Sequence, residues 1–414
     1  MIKIKLKFLG GAREVGKSGF LLDNKIALDY GLKLETDTPT YLPPLNVKAV
    51  LLSHAHLDHC GSIPVLYKKG NPVIFSTAET ADFSKLLIKD SYKISMKNRY
   101  RTPFGKNELK KTYNSFRNVE YYNPVKVEGF DVEYYDAGHI PGSAGILLNK
   151  NGQKIFYTGD INMSSTYLLN GATLPKKTDI LIMESTYGDR EHVPRNKEEK
   201  RFVKTIDEGL ANGEKILLPC FAIGRSHEVL LMLDKYKYKK IAIDGMIKQT
   251  SEITLYYKNN IKNYKNLKRI LNRVMWIRGT RERDDAIKRK DIFVTTSGMM
   301  TGGPIVYFLK KLKDKNIRIM FTGYLVEDTP GRKLIETGIF SNKEDEFPVK
   351  APTFRFDLSA HAGRSELFDI VRRMKPKKVF VVHGDDTEKF ADDLSSEFKN
   401  IEFEAPAIGD SFEI

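Results

Sequence analysis

Short apolar stretches separated by turn residues make up most of the first 60 residues of the chain. Residues 4–9 alternate apolar and charged side chains, as in a strand with one buried face, whereas residues 47–52 form a continuous apolar run typical of a fully buried strand. Similar patterns predict strands at residues 19–22, 25–29, 73–75, 132–135, 145–148, 154–158 and 180–183. A helical and basic stretch is predicted between residues 77 and 112.

The pattern changes after Tyr187, where strand and helix signals begin to alternate. Helices are predicted at residues 196–210 and 226–233, a strand at 215–219, and the alternation continues to residue 321, as expected for a parallel α/β domain. A strand at 353–358, a helix at 364–374 and a buried strand at 378–382 follow. We therefore predict one α/β domain, formed by residues 1–188 and 351–414, that is interrupted by a second α/β domain at residues 189–350.

The composition is that of an ordinary globular protein, with 41% hydrophobic and 29% charged residues. No apolar run approaches the roughly 18 residues of a membrane span, and no signal peptide is visible, so we expect a cytoplasmic protein without a membrane partner. The two cysteines, Cys60 and Cys220, are too few for a disulfide framework or a thiolate zinc site. The net charge of +15 favours a polyanionic partner such as nucleic acid, although general lysine enrichment would give the same value.

Candidate metal ligands are concentrated directly after the apolar run at residues 47–52. Imidazole and carboxylate groups are ligands of zinc, and manganese and iron accept the same donors. A tight loop could direct His54 and His56 one way and Asp58 and His59 another, which predicts two metal ions rather than one. The cluster places three histidines and one aspartate within six residues: His54, His56, Asp58 and His59.

Further ligands are expected where other predicted strands end. His139, Asp160 and His383 each follow a strand pattern, at the edge where α/β proteins place their ligands. A single histidine in such a position is more often structural. However, six of the eight histidines of the chain, His361 included, fall in the cluster or in such end positions. This concentration favours a functional site.

Several motifs resemble a known family. The pattern His54-x-His56-x-Asp58-His59, with a histidine and an aspartate downstream, resembles the metallo-β-lactamase superfamily. Segments 184–188, 219–225, 297–300, 359–361 and 382–384 resemble its β-CASP branch of nucleic-acid-cutting enzymes. Within that branch the chain is most similar to archaeal ribonucleases of the cleavage and polyadenylation specificity factor type. Forms without an N-terminal RNA-binding KH extension fit best, because the first strand pattern begins at the N-terminus.

The resemblance implies a fold and a cofactor. The fold would be α/β, a metallo-β-lactamase αββα sandwich with an inserted α/β β-CASP domain. The cofactor would be two zinc ions, with manganese as the alternative. Asp160 would bridge the ions, and Asp58 would take part in catalysis as well as in metal binding. The implied ligands are His54, His56 and His139 for one ion, and Asp58, His59 and His383 for the other.

The resemblance also implies roles around the metals. His361 would donate a proton to the leaving group, and Glu184 would orient His361 and favour its protonated form. Asp29 would orient a ligand histidine, although an aspartate in a strand-ending turn can equally be structural. Arg225 and Arg332, each preceded by glycine, are candidate phosphate contacts, with turn arginines as the alternative.

The expected substrate is single-stranded RNA. Residues 258–290 hold twelve lysines or arginines and three acidic residues, and residues 93–111 hold seven and one. Either stretch could bind the RNA backbone or be a solvated helical face. Tyr264 and Trp276 could stack on bases, or the tryptophan could belong to the core.

The expected function is therefore hydrolysis of RNA phosphodiester bonds by internal cuts, with 5′ to 3′ exonuclease activity as an additional mode. A ribonuclease J-like 5′ to 3′ exoribonuclease, a small-molecule metallo-hydrolase and a non-catalytic RNA-binding scaffold are the alternatives. The complete ligand set and His361 argue against the scaffold. A homodimer or an RNA-processing complex is the expected assembly.

Overall fold

A computed structural model describes residues 3–34, 38–313 and 316–414 of the chain. The strands of the described residues are β1 (Lys5–Gly10), β2 (Gly19–Leu22), β3 (Ile26–Leu28), β4 (Leu32–Lys33), β5 (Thr40–Tyr41), β6 (Ala49–Leu51), β7 (Val73–Ser76), β8 (Phe116–Asn118), β9 (Val125–Val127), β10 (Phe130–Asp136), β11 (Ala144–Lys150), β12 (Gln153–Tyr157), β13 (Ile180–Glu184), β14 (Lys215–Pro219), β15 (Ile241–Asp244), β16 (Met275–Trp276), β17 (Ile292–Thr295), β18 (Ile317–Phe321), β19 (Ile339–Ser341), β20 (Glu346–Pro348), β21 (Thr353–Arg355), β22 (Lys378–Val382), β23 (Glu402–Glu404) and β24 (Ser411–Glu413). The helices are α1 (Leu57–Cys60), α2 (Ile63–Leu66), α3 (Ala78–Lys97), α4 (Lys106–Asn114), α5 (Arg195–Ala211), α6 (Arg225–Lys235), α7 (Ile247–Tyr256), α8 (Tyr264–Arg273), α9 (Thr280–Arg289), α10 (Pro304–Leu312), α11 (Pro330–Thr337), α12 (Arg364–Met374) and α13 (Thr387–Glu397).

Two seven-stranded sheets form the first domain, in the orders β24-β1-β2-β3-β6-β7-β8 and β23-β22-β13-β12-β11-β10-β9. The inward-facing side chains of both sheets make one core in which aromatic rings meet edge to face, such as Phe20 and Tyr157 with centroids 5.4 Å apart. Apolar side chains of α2, α3 and α4 pack beneath the first sheet, and those of α12 and α13 beneath the second. The predicted αββα sandwich is thus confirmed.

The inserted domain is a second layer structure. Its six-stranded sheet has the order β16-β15-β17-β14-β18-β21, and all of its strand pairs are parallel. Helices cover both faces, as parallel sheets require. The strand predicted at 353–358 extends only from Thr353 to Arg355, and it pairs with β18 of the inserted sheet. This sheet therefore continues past residue 350, the predicted boundary, because the chain adds an edge strand before it returns.

The C-terminal strands were not predicted from the sequence. β24 pairs antiparallel with β1, with Lys5 opposite Glu413, and β23 pairs in parallel with β22. Each has only three residues and lies at a sheet edge, so the burial pattern that identifies longer strands is weak there. Among the described residues, no helix has both the length and the apolar character needed to cross a membrane.

The two domains meet over one edge of the sandwich. The ring of Phe221, directly after β14, lies 6.4 Å from the ring of His56, and Ile223 packs in a small cluster with Ala55. On one side of the contact Tyr257 donates a hydrogen bond to Asp82 on α3 at 2.7 Å. The C-terminal ends of the inserted parallel strands, where α/β sheets place their ligands, thus lie over the histidine-rich loop.

Candidate metal centre

Strand ends bring the predicted ligands together. The loop after β6 carries His54 and His56, and the short helix α1 that follows carries Asp58 and His59. β12, β13 and β22 are neighbouring parallel strands, so the residues that follow them share one edge of the second sheet. Asp160 and His383 lie at this edge and His139 follows β10; the structure therefore gathers all the predicted ligands into one site.

The first group of donor atoms surrounds one point. Nδ1 of His56 lies 3.1 Å from Nε2 of His54 and 3.2 Å from Nε2 of His139. Oδ2 of Asp160 lies 3.5 Å from Nε2 of His54 and 3.7 Å from Nε2 of His139. Three imidazoles and one carboxylate oxygen therefore point toward a shared centre.

The second group uses the other oxygen of the same aspartate. Oδ1 of Asp160 lies 3.2 Å from Nε2 of His59 and 3.6 Å from Nδ1 of His383. Oδ2 of Asp58 lies 3.4 Å from Nε2 of His383 and 3.8 Å from Nε2 of His59. The carboxylate of Asp160 thus faces both groups, which is the geometry of a bridging ligand.

The spacing fits zinc. In a tetrahedral site with bonds of about 2.0–2.1 Å, neighbouring donor atoms lie about 3.3 Å apart. The donor separations in both groups, 3.1 to 3.8 Å, fall around this value. Nε2 of His59 and Oδ1 of Asp160 are also buried without a hydrogen-bond partner among the described residues. A cation between them would satisfy both atoms, whereas without one their burial is costly.

Asp29 is the hydrogen-bonding hub beneath the site, and it is fully buried. Its carboxylate accepts hydrogen bonds from the backbone N–H of Ser53 at 2.7 Å, from the Ser53 hydroxyl at 2.6 Å and from the Tyr157 hydroxyl at 2.7 Å. Nδ1 of His59 lies 2.7 Å from the same carboxylate. With Nδ1–H directed at Asp29, Nε2 of His59 is left free to face the metal position.

The pKa values of the histidines differ between the two groups of metal ligands. Burial lowers the pKa of His56 to about 4 and the pKa of His54 and His139 well below the usual value, so these rings are neutral donors at pH 7. Burial would also lower the pKa of His59, but the carboxylates of Asp160 and Asp58 raise it well above the usual value. A cation in the second group would have to displace that proton, so metal binding there should depend on pH.

His361 lies beside the ligands without belonging to either group. Its ring centroid is 4.5 Å from that of His139, and its Nε2 is 4.0 Å from Oδ2 of Asp160. Nδ1 lies 3.0 and 3.1 Å from the two carboxylate oxygens of Glu184, which also accepts from the backbone N–H of Ile161 at 2.6 Å. Burial opposes the imidazolium, but the Glu184 carboxylate outweighs it and raises the pKa of His361 to about 9.

The candidate phosphate contacts differ from each other. Arg225 donates to the carbonyl of Thr322, and no carboxylate among the described residues pairs with it. Burial lowers its pKa to about 10. Arg332 instead pairs with Glu336 one turn further along α11, so part of its charge is already compensated. Arg225 is the cation that remains available to a substrate anion.

The two basic stretches, residues 258–290 and 93–111, differ in their positions in the structure. Residues 258–266 line an open groove of about 500 Å³, whose lining includes Lys258, Lys262, Lys265 and Tyr264. The indole N–H of Trp276 donates to a backbone carbonyl at 2.8 Å and its ring packs against the core of the inserted domain, so the alternative of a core tryptophan is favoured. Residues 93–111 extend from the end of α3 into α4 and line neither the groove nor the metal centre.

Sequence reasoning missed two residues near the site. His192 and Asp357 contact each other, and His192 also contacts the main chain of His361. A histidine eight residues after Glu184 and an aspartate four residues before His361 were the available signals. Neither follows a strand pattern that would have singled it out.

Comparison with known proteins agrees with the fold. Three family profiles match the chain: a metallo-beta-lactamase superfamily domain at residues 23–186, a Beta-Casp domain at 226–334, and a Zn-dependent metallo-hydrolase RNA specificity domain at 346–406. The chain belongs to the β-CASP family of metallo-β-lactamase-fold, metal-dependent ribonucleases.

Individual relatives narrow the type. The chain is 36% identical to a protein named RNase aCSPSF2 from Saccharolobus solfataricus over 98% of its own length and 84% of the relative's. It is 33% identical to an RNase J-like protein of Methanocaldococcus jannaschii, covering 92% of this chain and 93% of that protein. A transcription termination factor FttA of the same organism is 30% identical over 96% of this chain and 69% of the factor. Within the family, the chain is of the aCSPSF2 type.

One solved structure of similar fold is a protein of unknown function from Enterococcus faecalis. Its TM-score is 0.63 at 15% sequence identity, and the match covers 100% of both chains. At this identity the likeness concerns the fold alone.

Proposed function

We propose that the protein hydrolyses phosphodiester bonds of single-stranded RNA with two zinc ions, by internal cuts that process longer transcripts. The observation that carries this proposal is the position of His361, beside both ligand groups and paired with Glu184 at 3.0 Å. A metal-dependent hydrolase that expels a ribose oxygen needs a proton donor at this place.

The residues divide the chemistry between them. Two bound zinc ions would supply Lewis acidity and lower the pKa of a coordinated water, so that a nucleophile exists at neutral pH. His54, His56 and His139 would hold one ion, the second group the other, and Asp160 would bridge them. As the bond from phosphorus to the leaving ribose oxygen breaks, His361 would give the proton on Nε2 to that oxygen. Glu184 would keep the imidazolium charged and oriented.

Two features favour a single strand as the substrate. The inserted domain lies over the metal centre, with Phe221 facing His56, and a duplex roughly 20 Å wide would have to open to reach the ligands. The groove lined by Lys258, Lys262 and Lys265 offers positive charge to a backbone, and Arg225, which pairs with no carboxylate among the described residues, offers a close phosphate contact. Arg332 remains a weaker candidate because Glu336 already pairs with it.

Internal cutting is the first candidate mode because the motifs around the metal ligands resemble those of the cleavage-factor type. Exonuclease activity from the 5′ end on the same centre is the second candidate, and the 33% identity to an RNase J-like protein favours it. Digestion of one RNA labelled separately at each end distinguishes them. Internal fragments from both labels support the first mode, whereas mononucleotides released only from the 5′ label contradict it.

The role of His361 is tested by His361→Ala. The variant should keep its metals and lose about 100- to 10,000-fold in cleavage rate, the usual contribution of a general acid. On a substrate whose leaving oxygen is replaced by sulfur the loss should shrink, because a thiolate leaves without a proton. Elemental analysis provides the check: a variant that sheds metal would make His361 a ligand and contradict the assignment.

A further inference from the structure

His361 lies in a segment without regular structure between β21 and α12, so single hydrogen bonds determine where its main chain lies. Nδ1 of His139 lies 2.7 Å from the carbonyl of Ala360, and the N–H of Ala362 donates to the carbonyl of Ile161 at 2.6 Å. The carbonyl of His361 itself lies 3.0 Å from Nε2 of His192. His192 therefore holds the main chain at the residue whose side chain must reach the leaving group.

The ring of His192 has further contacts that restrict its position. Nδ1 lies 2.8 and 3.0 Å from the two carboxylate oxygens of Asp357, which also accepts from the backbone N–H of Val193 at 3.2 Å. The ring of Tyr187 packs against it with centroids 4.4 Å apart. A Cβ at Gly363 would lie only 2.9 Å from Cδ2 of His192, so glycine permits the close approach.

The donor and acceptor roles in the two hydrogen bonds of the His192 ring are set by its partners. Both ring nitrogens of His192 face acceptors, the carboxylate of Asp357 and the carbonyl of His361, so each can form its hydrogen bond only as an N–H donor. The hydrogen bond to Asp357 fixes the orientation of the His192 ring. The hydrogen bond to the His361 carbonyl then fixes the main chain of His361 relative to that ring. Side-chain position is sensitive to such support, because a misplacement of about 1 Å at a reacting group can cost on the order of 100-fold in rate.

We propose that His192, oriented by Asp357, is a positioning residue for proton donation by His361. The inference rests on the proposed function, since it presupposes that His361 supplies the proton. His192 lies on the connection that leaves the metallo-β-lactamase domain and Asp357 on the connection that returns to it, 165 residues later. The pair therefore joins the two domain connections at the point where the proton donor is located.

The test separates the two bonds of the ring by substitution. His192→Gln carries its amide N–H₂ at a distance along the side chain similar to that of Nε2, so it can keep the bond to the His361 carbonyl. His192→Asn mimics Nδ1 and can keep only the bond to Asp357. Cleavage of single-stranded RNA should fall by about 10- to 100-fold in His192→Asn and by much less in His192→Gln. On the sulfur-substituted substrate, the two variants should cleave at similar rates.

Two comparisons make the outcome specific. In a His361→Ala background, His192→Asn should cause no further loss, because the group through which His192 acts is already gone. Glu191→Gln is the matched control: Glu191 accepts from the backbone N–H of Ser365 at 2.9 Å and does not contact His361. It should leave the rate of RNA cleavage unchanged.

The possible failures are distinguishable. A parent enzyme that cuts no RNA contradicts the proposed function, whatever the variants do. If the parent cuts RNA and His361→Ala is slow, an equal loss on both substrates in His192→Asn, or a loss that adds fully to that of His361→Ala, overturns the positioning role. Should His192→Asn not fold, Gly363→Ala is measured instead, because its methyl group displaces the His192 ring without removing it. For Gly363→Ala too, an equal loss on both substrates, or a loss that adds fully to that of His361→Ala, overturns the inference. A loss on RNA that shrinks on the sulfur-substituted substrate and does not add to that of His361→Ala supports it.

Discussion

The charge of Glu184 can be removed with little change in shape. In Glu184→Gln the amide oxygen can still accept from the backbone N–H of Ile161, the bond that Oε1 accepts at 2.6 Å in the parent. The negative charge beside Nδ1 of His361 is lost, and the carboxylate oxygen 3.0 Å from Nδ1 becomes an amide N–H₂, while the amide oxygen stays within reach of Nδ1. The variant therefore tests whether that carboxylate acts by raising the pKa of the histidine.

The effect is sized for a fall in the pKa of His361 from about 9 to the usual 6.5 when Glu184 loses its charge; burial also lowers this pKa, and Asp160 and Asp58 also raise it. An imidazolium exists below its pKa and is lost as the pH rises through it. At pH 8 a pKa of about 9 leaves roughly 90% of the ring protonated, whereas 6.5 leaves about 3%. A step that needs this proton should therefore slow about 30-fold at pH 8 and less than about twofold at pH 6. Bound cations would lower the pKa in both proteins, which shifts both profiles toward lower pH without removing the difference.

The assay is the rate of cleavage of one single-stranded RNA under single-turnover conditions from pH 5.5 to 9.5, with metal content measured on each sample. The alkaline limb of the profile should move to lower pH in Glu184→Gln, and the two proteins should converge at acidic pH. Glu120→Gln is the matched control, because Glu120 is an exposed carboxylate with no partner among the described residues. Its profile should coincide with that of the parent.

A loss of rate that is equal at every pH would refute this reasoning, because it would show that Glu184 supports the structure rather than the charge of His361. A loss of metal in Glu184→Gln would also refute it. Glu184 lies close enough to Asp160 and His383 for one oxygen to reach a cation between them, so that outcome would make it a ligand.

The remaining predictions concern the metals, the groove and the narrow slot, by which we mean the proposed approach to the metal centre beneath the inserted domain. Protein purified without added metal should carry about two transition-metal ions per chain by elemental analysis, and His383→Ala about one; one or fewer in both would contradict two sites. Replacing Lys258, Lys262 and Lys265 together with glutamine should flatten the salt dependence of single-stranded RNA binding by about 2 in slope, roughly 0.7 per lost contact. An unchanged slope would make the groove a solvated face. The matched control replaces three exposed lysines outside the groove: Lys126, Lys377 and Lys399. Finally, initial rates should be high on unstructured RNA, low on its perfect duplex and undetectable on a small thioester, and equal rates on strand and duplex would rule out the narrow slot.

The sequence by itself determined most of the elements and the chemistry of the centre. The buried strands Lys215–Pro219 and Lys378–Val382 have the predicted bounds, because a continuous apolar run between polar turns leaves little choice of local structure. The ligand types also follow from composition alone, since three histidines and an aspartate within six residues have few roles other than metal binding. The family and the αββα fold could be inferred from those motifs.

Pairing across the chain was decided only by the tertiary structure. Nothing in the local pattern of β21 indicates that it joins the inserted sheet, because its partner β18 supplies the backbone hydrogen bonds that fix its place. Likewise Arg225 and Arg332 look alike in sequence, each after a glycine, and only the structure shows that Arg332 pairs with a glutamate whereas Arg225 donates to the carbonyl of Thr322.

The contact between His192 and Asp357 illustrates the reason most clearly. The two residues are 165 positions apart, and neither belongs to a motif that determines its partner. Their hydrogen bond exists because the inserted domain folds back on its own connection and packs Tyr187 and Gly363 around the ring. Local periodicity and donor chemistry are properties of short segments, whereas the direction of a side chain and the identity of its neighbour depend on how distant segments pack.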